Sequence, residues 1–207
     1  MRPRPTRSRL PLKSANRASP GPITVAVTGG IGAGKSEALE AFARHGAATI
    51  SSDEIVHRLL RGDEDVQAAL RERWGERIVG ENGADRAAIA AIVFDDRDQL
   101  AWLESLLHPK VVREYVAWRE QQTAAVAVTE VPLLYETGGD ERFDAVVVVT
   151  APPELRAERS RVHADAREAR LIPDEEKVQR ADFAYVNDGT LDELDAFVGD
   201  VMARLTR

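Results

Sequence analysis

The chain contains no cysteine in 207 residues. Disulfides, thiolate nucleophiles and thiolate-held zinc are therefore excluded, and the chain suits a reducing compartment. Its four histidines stand singly, at His45, His57, His108 and His163, with no helical pairing that reads as a metal site. No apolar run approaches the roughly 20 residues that a membrane helix needs. Basic residues are scarce over most of the length. Six of the 28 lie in the first 22 residues, which hold no acid, and setting them aside leaves 22 against 35 acids, a net charge of about −13. An acidic body argues against a nucleic-acid surface, which needs a basic stripe.

The exception is that opening segment, "MRPRPTRSRLPLKSANRASPGP". Five prolines spoil an amphipathic helix and there is no apolar core of the kind a secretory signal carries. Residues 1–22 read as a disordered basic tail; a basic arm, a transit-like peptide and a mis-assigned start remain open. The whole chain is 43% hydrophobic and 30% charged, a composition typical of a globular protein.

From Ile23 onward, short β-branched runs alternate with helical stretches. Ile23 to Thr28, Ala47 to Ile50, Ala125 to Val131, Ala145 to Thr150 and Phe183 to Val186 read as strands, which predicts an α/β fold with a parallel five-stranded sheet flanked by helices. Ser36 to Arg44 reads as a helix stopped by Gly46, and Thr190 with Glu193 forms a capping box for a C-terminal helix. About 70 residues separate the second and third strands, where a crossover needs about a dozen. They read as helices over Glu54 to Arg61, Asp65 to Trp74, Arg86 to Phe94, Arg97 to Leu107 and Pro109 to about Gln121. The expected plan is a core of 23–53 and 125–207, a helical insertion at 54–124, and a lid at about 156–173. An inserted lobe beside strand ends can grip a substrate or merely fill space.

The stretch Gly29-Gly30-Ile31-Gly32-Ala33-Gly34-Lys35-Ser36 fits G-x-x-x-x-G-K-[ST] between a strand and a helix. Glycines let consecutive backbone N–H groups turn toward phosphate oxygens, and the helix N-terminus adds its own free N–H groups and partial charge. Lys35 suits the β- and γ-phosphates and Ser36 suits Mg²⁺. A chance match in a chain of this length is on the order of 1% on average residue usage. The loop predicts a nucleoside triphosphate ligand. A small-molecule kinase also needs a base at the acceptor hydroxyl and cations over the phosphates. Asp53, just past the second strand, suits the base or a helix N-cap. Glu130, at the end of the third strand, suits a water-mediated metal contact. The arginines at 156, 159, 161, 167 and 170 suit a closing element or a solvated helix face.

In this order the motifs resemble those of the dephospho-CoA kinase family. "TGGIGAGKS" (Thr28 to Ser36) is similar to its phosphate loop, "SSDEIVHRLL" (Ser51 to Leu60) to its D-A-D-x-I-x-[RH] segment, and "ADRAAIAAIVF" (Ala84 to Phe94) to its D-R-x-x-L-x-x-x-x-F segment. "WLESLLHPKV" (Trp102 to Val111) resembles its H-P motif, "EVPLLYE" (Glu130 to Glu136) its v-P-L-L-F-E, and "EEKVQRADFAYVNDGTLDEL" (Glu175 to Leu194) its closing stretch.

The resemblance implies ATP-dependent phosphorylation of the 3′-hydroxyl of dephospho-CoA, the last step of coenzyme A synthesis, with Mg²⁺, in the cytoplasm. It implies Asp53 as base and Lys35 as a second catalytic residue, and ATP on Gly30, Gly32, Ala33, Gly34, Lys35, Ser36, Glu37, Arg159, Arg167 and Asn187. It places Arg86, His108, Leu133, Leu134 and Tyr135 near the acceptor, and makes Ser36 the metal contact. His57, one turn beyond Asp53, is a candidate for orienting it. ATP and dephospho-CoA are the expected partners, with no nucleic acid or membrane, on a monomer or weak homo-oligomer. Ser51 stands at the first aspartate of D-A-D, Glu37 at a usual Ser or Thr, and Leu171 at an expected glutamine, in a lid several residues short. These departures bear on lid geometry and ATP affinity. A kinase of another nucleoside or nucleotide, and a non-catalytic ATP-binding relative, are the competing readings.

Overall fold

The computed structural model describes residues 21–94, 96–159 and 172–207. Most of the basic tail, and the lid positions Arg161, Arg167, Arg170 and Leu171, lie outside the described residues. In chain order the elements are β1 (Ile23–Thr28), α1 (Lys35–Arg44), β2 (Ala48–Ser51), α2 (Ser52–Gly62), α3 (Glu64–Trp74), β3 (Val79–Gly80), β4 (Gly83–Ala84), α4 (Arg86–Phe94) and α5 (Arg97–Glu120). They continue with β5 (Val126–Glu130), β6 (Ala145–Thr150), α6 (Pro153–Arg159), α7 (Asp174–Arg180), β7 (Phe183–Val186) and α8 (Leu191–Leu205). The chain divides into two units, one of Met1–Ser51 with Gln122–Arg207 and the other Ser52–Gln121.

The first unit is built on a five-stranded sheet in the order β2-β5-β1-β6-β7, every pair parallel. Every residue of β5 and β6 is buried, as expected for central strands covered on both faces. Val25, Val27, Val126, Val128, Val147 and Val149 pack with Ala38, Ala41 and Phe42 of α1 and with Leu194, Phe197, Val198 and Val201 of α8. Each buried valine is worth about 1.5–3 kcal/mol relative to exposure. The capping box forms as read: Glu193 N donates to Thr190 Oγ1 at 3.2 Å, and Thr190 N donates to Glu193 Oε2 at 2.8 Å. Register places Ser51 and Val27 beside Glu130, so three strands end level at their C-terminal edge.

The second unit is helical with a two-residue-strand hairpin, β3–β4. Ile55, Leu59, Leu60, Val66, Leu70, Ile89, Leu103 and Leu107 supply its buried side chains. Asp63 caps α3 through Val66 N at 2.9 Å and takes Lys110 Nζ at 2.8 Å, pinning α5 to the α2–α3 corner. Burial raises the Asp63 pKa, but the Lys110 and Val66 hydrogen bonds and the charges of Lys110 and Arg113 outweigh it and hold the carboxyl below its ordinary value. One expectation is corrected here, and one element is added. The helices read as Arg97 to Leu107 and from Pro109 are one 24-residue helix with Pro109 inside. Proline removes the bond to the Ser105 carbonyl, yet Ser105 and Pro109 are both exposed, a position where a freed acceptor costs little. The hairpin escapes a sequence reading because its strands are too short to carry periodicity.

Candidate active site

In the first unit the phosphate loop runs from the end of β1 to the start of α1. Gly32 and Gly34 hold φ of 72° and 94°, values that favour glycine, and Gly34 N-caps α1 without any side-chain bond. No side chain at the cap position competes for the first turn of α1, the part of a helix that suits an anion. A Cβ on Gly29 would run into the Val149 carbonyl of β6, so the loop sits against the sheet edge. Lys35 Nζ donates to Gly30 O at 3.0 Å and lies 4.0 Å from Glu130 Oε1. Its side chain is 11% exposed, which spans the ammonium across the loop rather than out into solvent. Ser36 and Glu37 occupy the first turn of α1 and are exposed.

One of the expected ATP residues meets the loop from elsewhere in the same unit, and a second supports it. Asn187, buried at the end of β7, donates from Nδ2 to Ala33 O at 3.0 Å, and a Cβ on Gly34 would collide with it. Arg159 Nη1 donates to Asn187 O at 3.0 Å. The structure gives both a bracing contact with the loop or its support. Arg156, which the sequence offers only within a group of arginines, also lies against the loop, at Gly30 and Gly32.

The turn after β5 carries the P-L-L-Y-E segment and is tied to β1: Val131 N donates to Val27 O at 2.9 Å and Thr28 Oγ1 to Pro132 O at 3.4 Å. Of the three apolar candidates, Leu133 is 38% exposed, while Leu134 and Tyr135 are 0% and 5% exposed. The side chains of Leu134 and Tyr135 therefore point into the protein. Burial, with help from Asp140 and Asp182, pushes the Tyr135 phenol far above its ordinary pKa against the opposing charge of Arg180, which lies 4.2 Å over the ring. Glu136 accepts from Ile172 N at 3.0 Å and stands 2.9 Å from Lys177 Nζ, whose side chain is fully buried. A cleft of about 480 Å³ opens beside this region, lined in part by Thr150, Pro152, Arg156, Asp174 and Val186.

The second unit carries the other candidates. Asp53 is the second residue of α2, two positions after Ser51 ends β2, and is exposed in the first turn. His57 is exposed one turn on, and its Nδ1 accepts from Arg86 Nη1 at 3.2 Å, since a guanidinium can only donate. The structure thus pairs His57 with α4. His108 is exposed on α5 immediately before Pro109. Sequence reasoning missed the His57–Arg86 pair, for which a separation of 29 residues leaves no local signal.

Known proteins align with this arrangement. Residues 23–193 match the dephospho-CoA kinase family model. The dephospho-CoA kinase of Protochlamydia amoebophila is 37% identical over 182 residues, covering 82% of this chain and 90% of its own. The crystal structure of TT1252 from Thermus thermophilus superposes with a TM-score of 0.77 at 32% identity, over 90% of this chain and all of that one. The dephospho-CoA kinase from Campylobacter jejuni gives a TM-score of 0.61 at 26% identity, over 88% and 96%. With the family model matched from β1 into α8, the chain belongs to the dephospho-CoA kinase family.

Proposed function

We propose that the protein transfers the γ-phosphoryl group of ATP to the 3′-hydroxyl of dephospho-CoA, giving coenzyme A and ADP. The supporting observation is the loop itself in a chain of this family: a glycine-capped helix N-terminus with Lys35 donating to Gly30 O and lying 4.0 Å from Glu130 Oε1. Backbone N–H groups of the loop and Lys35 hold the β- and γ-phosphates. Ser36 and Glu130 are oxygen donors of the kind a hard cation takes, directly or through water, which suits Mg²⁺. Bound there, Mg²⁺ would supply charge neutralisation on the transferring group.

Asp53 accepts the hydrogen bond of the ribose hydroxyl. The bond from O3′ to the γ-phosphorus forms as the bond to the bridging oxygen of ADP breaks, and the hydroxyl proton passes late to the Asp53 carboxylate. Aspartate side chains are ordinarily ionised at neutral pH, which suits them to this task. Arg86, His108 and Leu133 contact the acceptor, while Leu134 and Tyr135 act from inside by fixing the turn that presents Leu133. The reading includes cytoplasmic location and a monomer or weak homo-oligomer without nucleic acid; the cysteine-free, acidic composition supports it. No helix among the described residues is long and apolar enough to cross a membrane.

The test is ADP release by purified protein with Mg²⁺-ATP, with and without 3′-dephospho-CoA, followed by mapping of the phosphorylated hydroxyl. Acceptor-dependent release with the phosphate on the 3′-oxygen is expected. ATP binding without acceptor-dependent turnover would reject the reading in favour of another acceptor or a non-catalytic relative.

A further inference from the structure

Arg156 makes a set of contacts that its place in an arginine-rich stretch does not explain. It lies in α6, three residues before Arg159, so the two share a helix face. Arg159 reaches the loop indirectly, through Asn187. Arg156 meets it at two glycines. A Cβ built on Gly30 would collide with Arg156 Nη1, and one built on Gly32 would lie 2.6 Å from the Arg156 carbonyl oxygen. Gly30 is not among the glycines with positive φ, so its link to Arg156 is this close approach of the guanidinium and not backbone conformation; a side chain there would displace Arg156 Nη1 from where it now lies.

The guanidinium is aimed. Arg156 Nη1 donates to Asp174 Oδ2 at 3.2 Å, with the two side chains only 18% and 25% exposed. Asp174 opens α7, and α7 is anchored in turn: Lys177, one turn on and fully buried, stands 2.9 Å from Glu136, whose Oε1 also takes Ile172 N. The backbone N–H of Arg156 donates to Pro152 O at 3.0 Å, which fixes the other end of the residue. Gly30 therefore sits between two cations. Lys35 holds its carbonyl oxygen and Arg156 covers its α-carbon.

We propose that Arg156 is a positioning residue for the phosphate-binding loop and that Asp174 sets it, so that the loop is held in its phosphate-receiving shape before ATP arrives. The inference rests on the reading of this loop as the ATP site. A loop already in shape spends less of its binding energy on ordering, which appears as affinity for the nucleotide and not for the acceptor. Asp174 has a second effect of opposite sign, because a carboxylate near the loop repels a polyanion. The pair of substitutions separates the two.

The experiment measures the dissociation constant of Mg²⁺-ATP, the KM for dephospho-CoA and the unfolding midpoint for the parent, Arg156→Ala, Asp174→Ala and the double variant. Arg156→Ala is expected to weaken ATP about tenfold, the loss of one charge-assisted contact. The acceptor KM and the midpoint should stay near the parent's, which a general structural role would not allow. Asp174→Ala should weaken ATP about threefold in the parent background and leave it equal or tighter in the Arg156→Ala background, since only repulsion then remains to be removed. If Arg156→Ala does not fold, Arg156→Lys, which keeps a charge without the fork, should show a loss of about threefold. Unchanged ATP affinity in the folded arginine variants, or the same effect of Asp174→Ala in both backgrounds, overturns the proposal while leaving the ATP site intact. A parent that binds no ATP overturns both.

Discussion

The two units place functional groups in different ways. In the sheet unit the phosphate loop is mostly backbone: glycines at φ of 72° and 94°, the glycine-capped start of α1, and a single lysine laid across the turn. In the helical unit the candidates are exposed side chains standing on helices: Asp53 and His57 on α2, Arg86 on α4, His108 on α5. A backbone-built site is specified by sterics, residue by residue, and tolerates little. A side-chain site is specified by which helices pack together, so its members are individually replaceable at lower cost to the fold.

This contrast can be broken by substitution. Lys35→Met should have the largest effect, lowering kcat/KM for ATP by about 10²–10³ through loss of one charged donor to the phosphates. Its KM for the acceptor should hardly move, and steady-state kinetics with each substrate varied would read this. Lys177→Met comes next, measured by urea unfolding. Leaving the mostly shielded Glu136 without its cation should cost about 3 kcal/mol, and adding Glu136→Leu should restore much of that. Arg86→Ala should raise the acceptor KM about tenfold with ATP affinity unchanged, as loss of one charged hydrogen bond implies.

The smallest effect concerns pH. The Asp63 carboxyl has its pKa depressed in the fold despite partial burial, so its contribution is present above the unfolded value near ~3.9 and fades as pH falls through the lower folded value. Asp63→Asn keeps an acceptor for Val66 N and loses only the charge facing Lys110, so it should cost about 1 kcal/mol at neutral pH. The gap between parent and variant should close as denaturation is repeated below about pH 4.

The same contrast explains which parts of the molecule are legible in the amino-acid sequence. β1, the loop and α1 are legible because the glycines and Lys-Ser fall at the spacing of a phosphate loop between a strand and a helix, and the α8 capping box because it is local. Asn187 is reached only by resemblance and Arg159 is singled out from its arginine group only by resemblance, and the structure gives them contacts with the loop or with each other. Arg156 does not separate from its neighbours, because nothing in the sequence tells that Gly30 and Gly32 will lie under it. The continuity of α5 through Pro109 turns on the proline facing solvent, a tertiary fact. Leu133, Leu134 and Tyr135 form an apolar run without periodicity, so which one stays exposed emerges only from packing.

The central claim is a division of labour, with ATP held by the loop of the sheet unit and the acceptor hydroxyl served by Asp53 of the helical unit. The most direct test is Asp53→Asn, measured for Mg²⁺-ATP affinity and for single-turnover phosphoryl transfer to dephospho-CoA in the same preparation. The account predicts ATP affinity within about twofold of the parent and transfer slower by about 10²–10⁴, the range for loss of a general base. Transfer at the parent's rate, or ATP affinity lost along with it, would contradict the division.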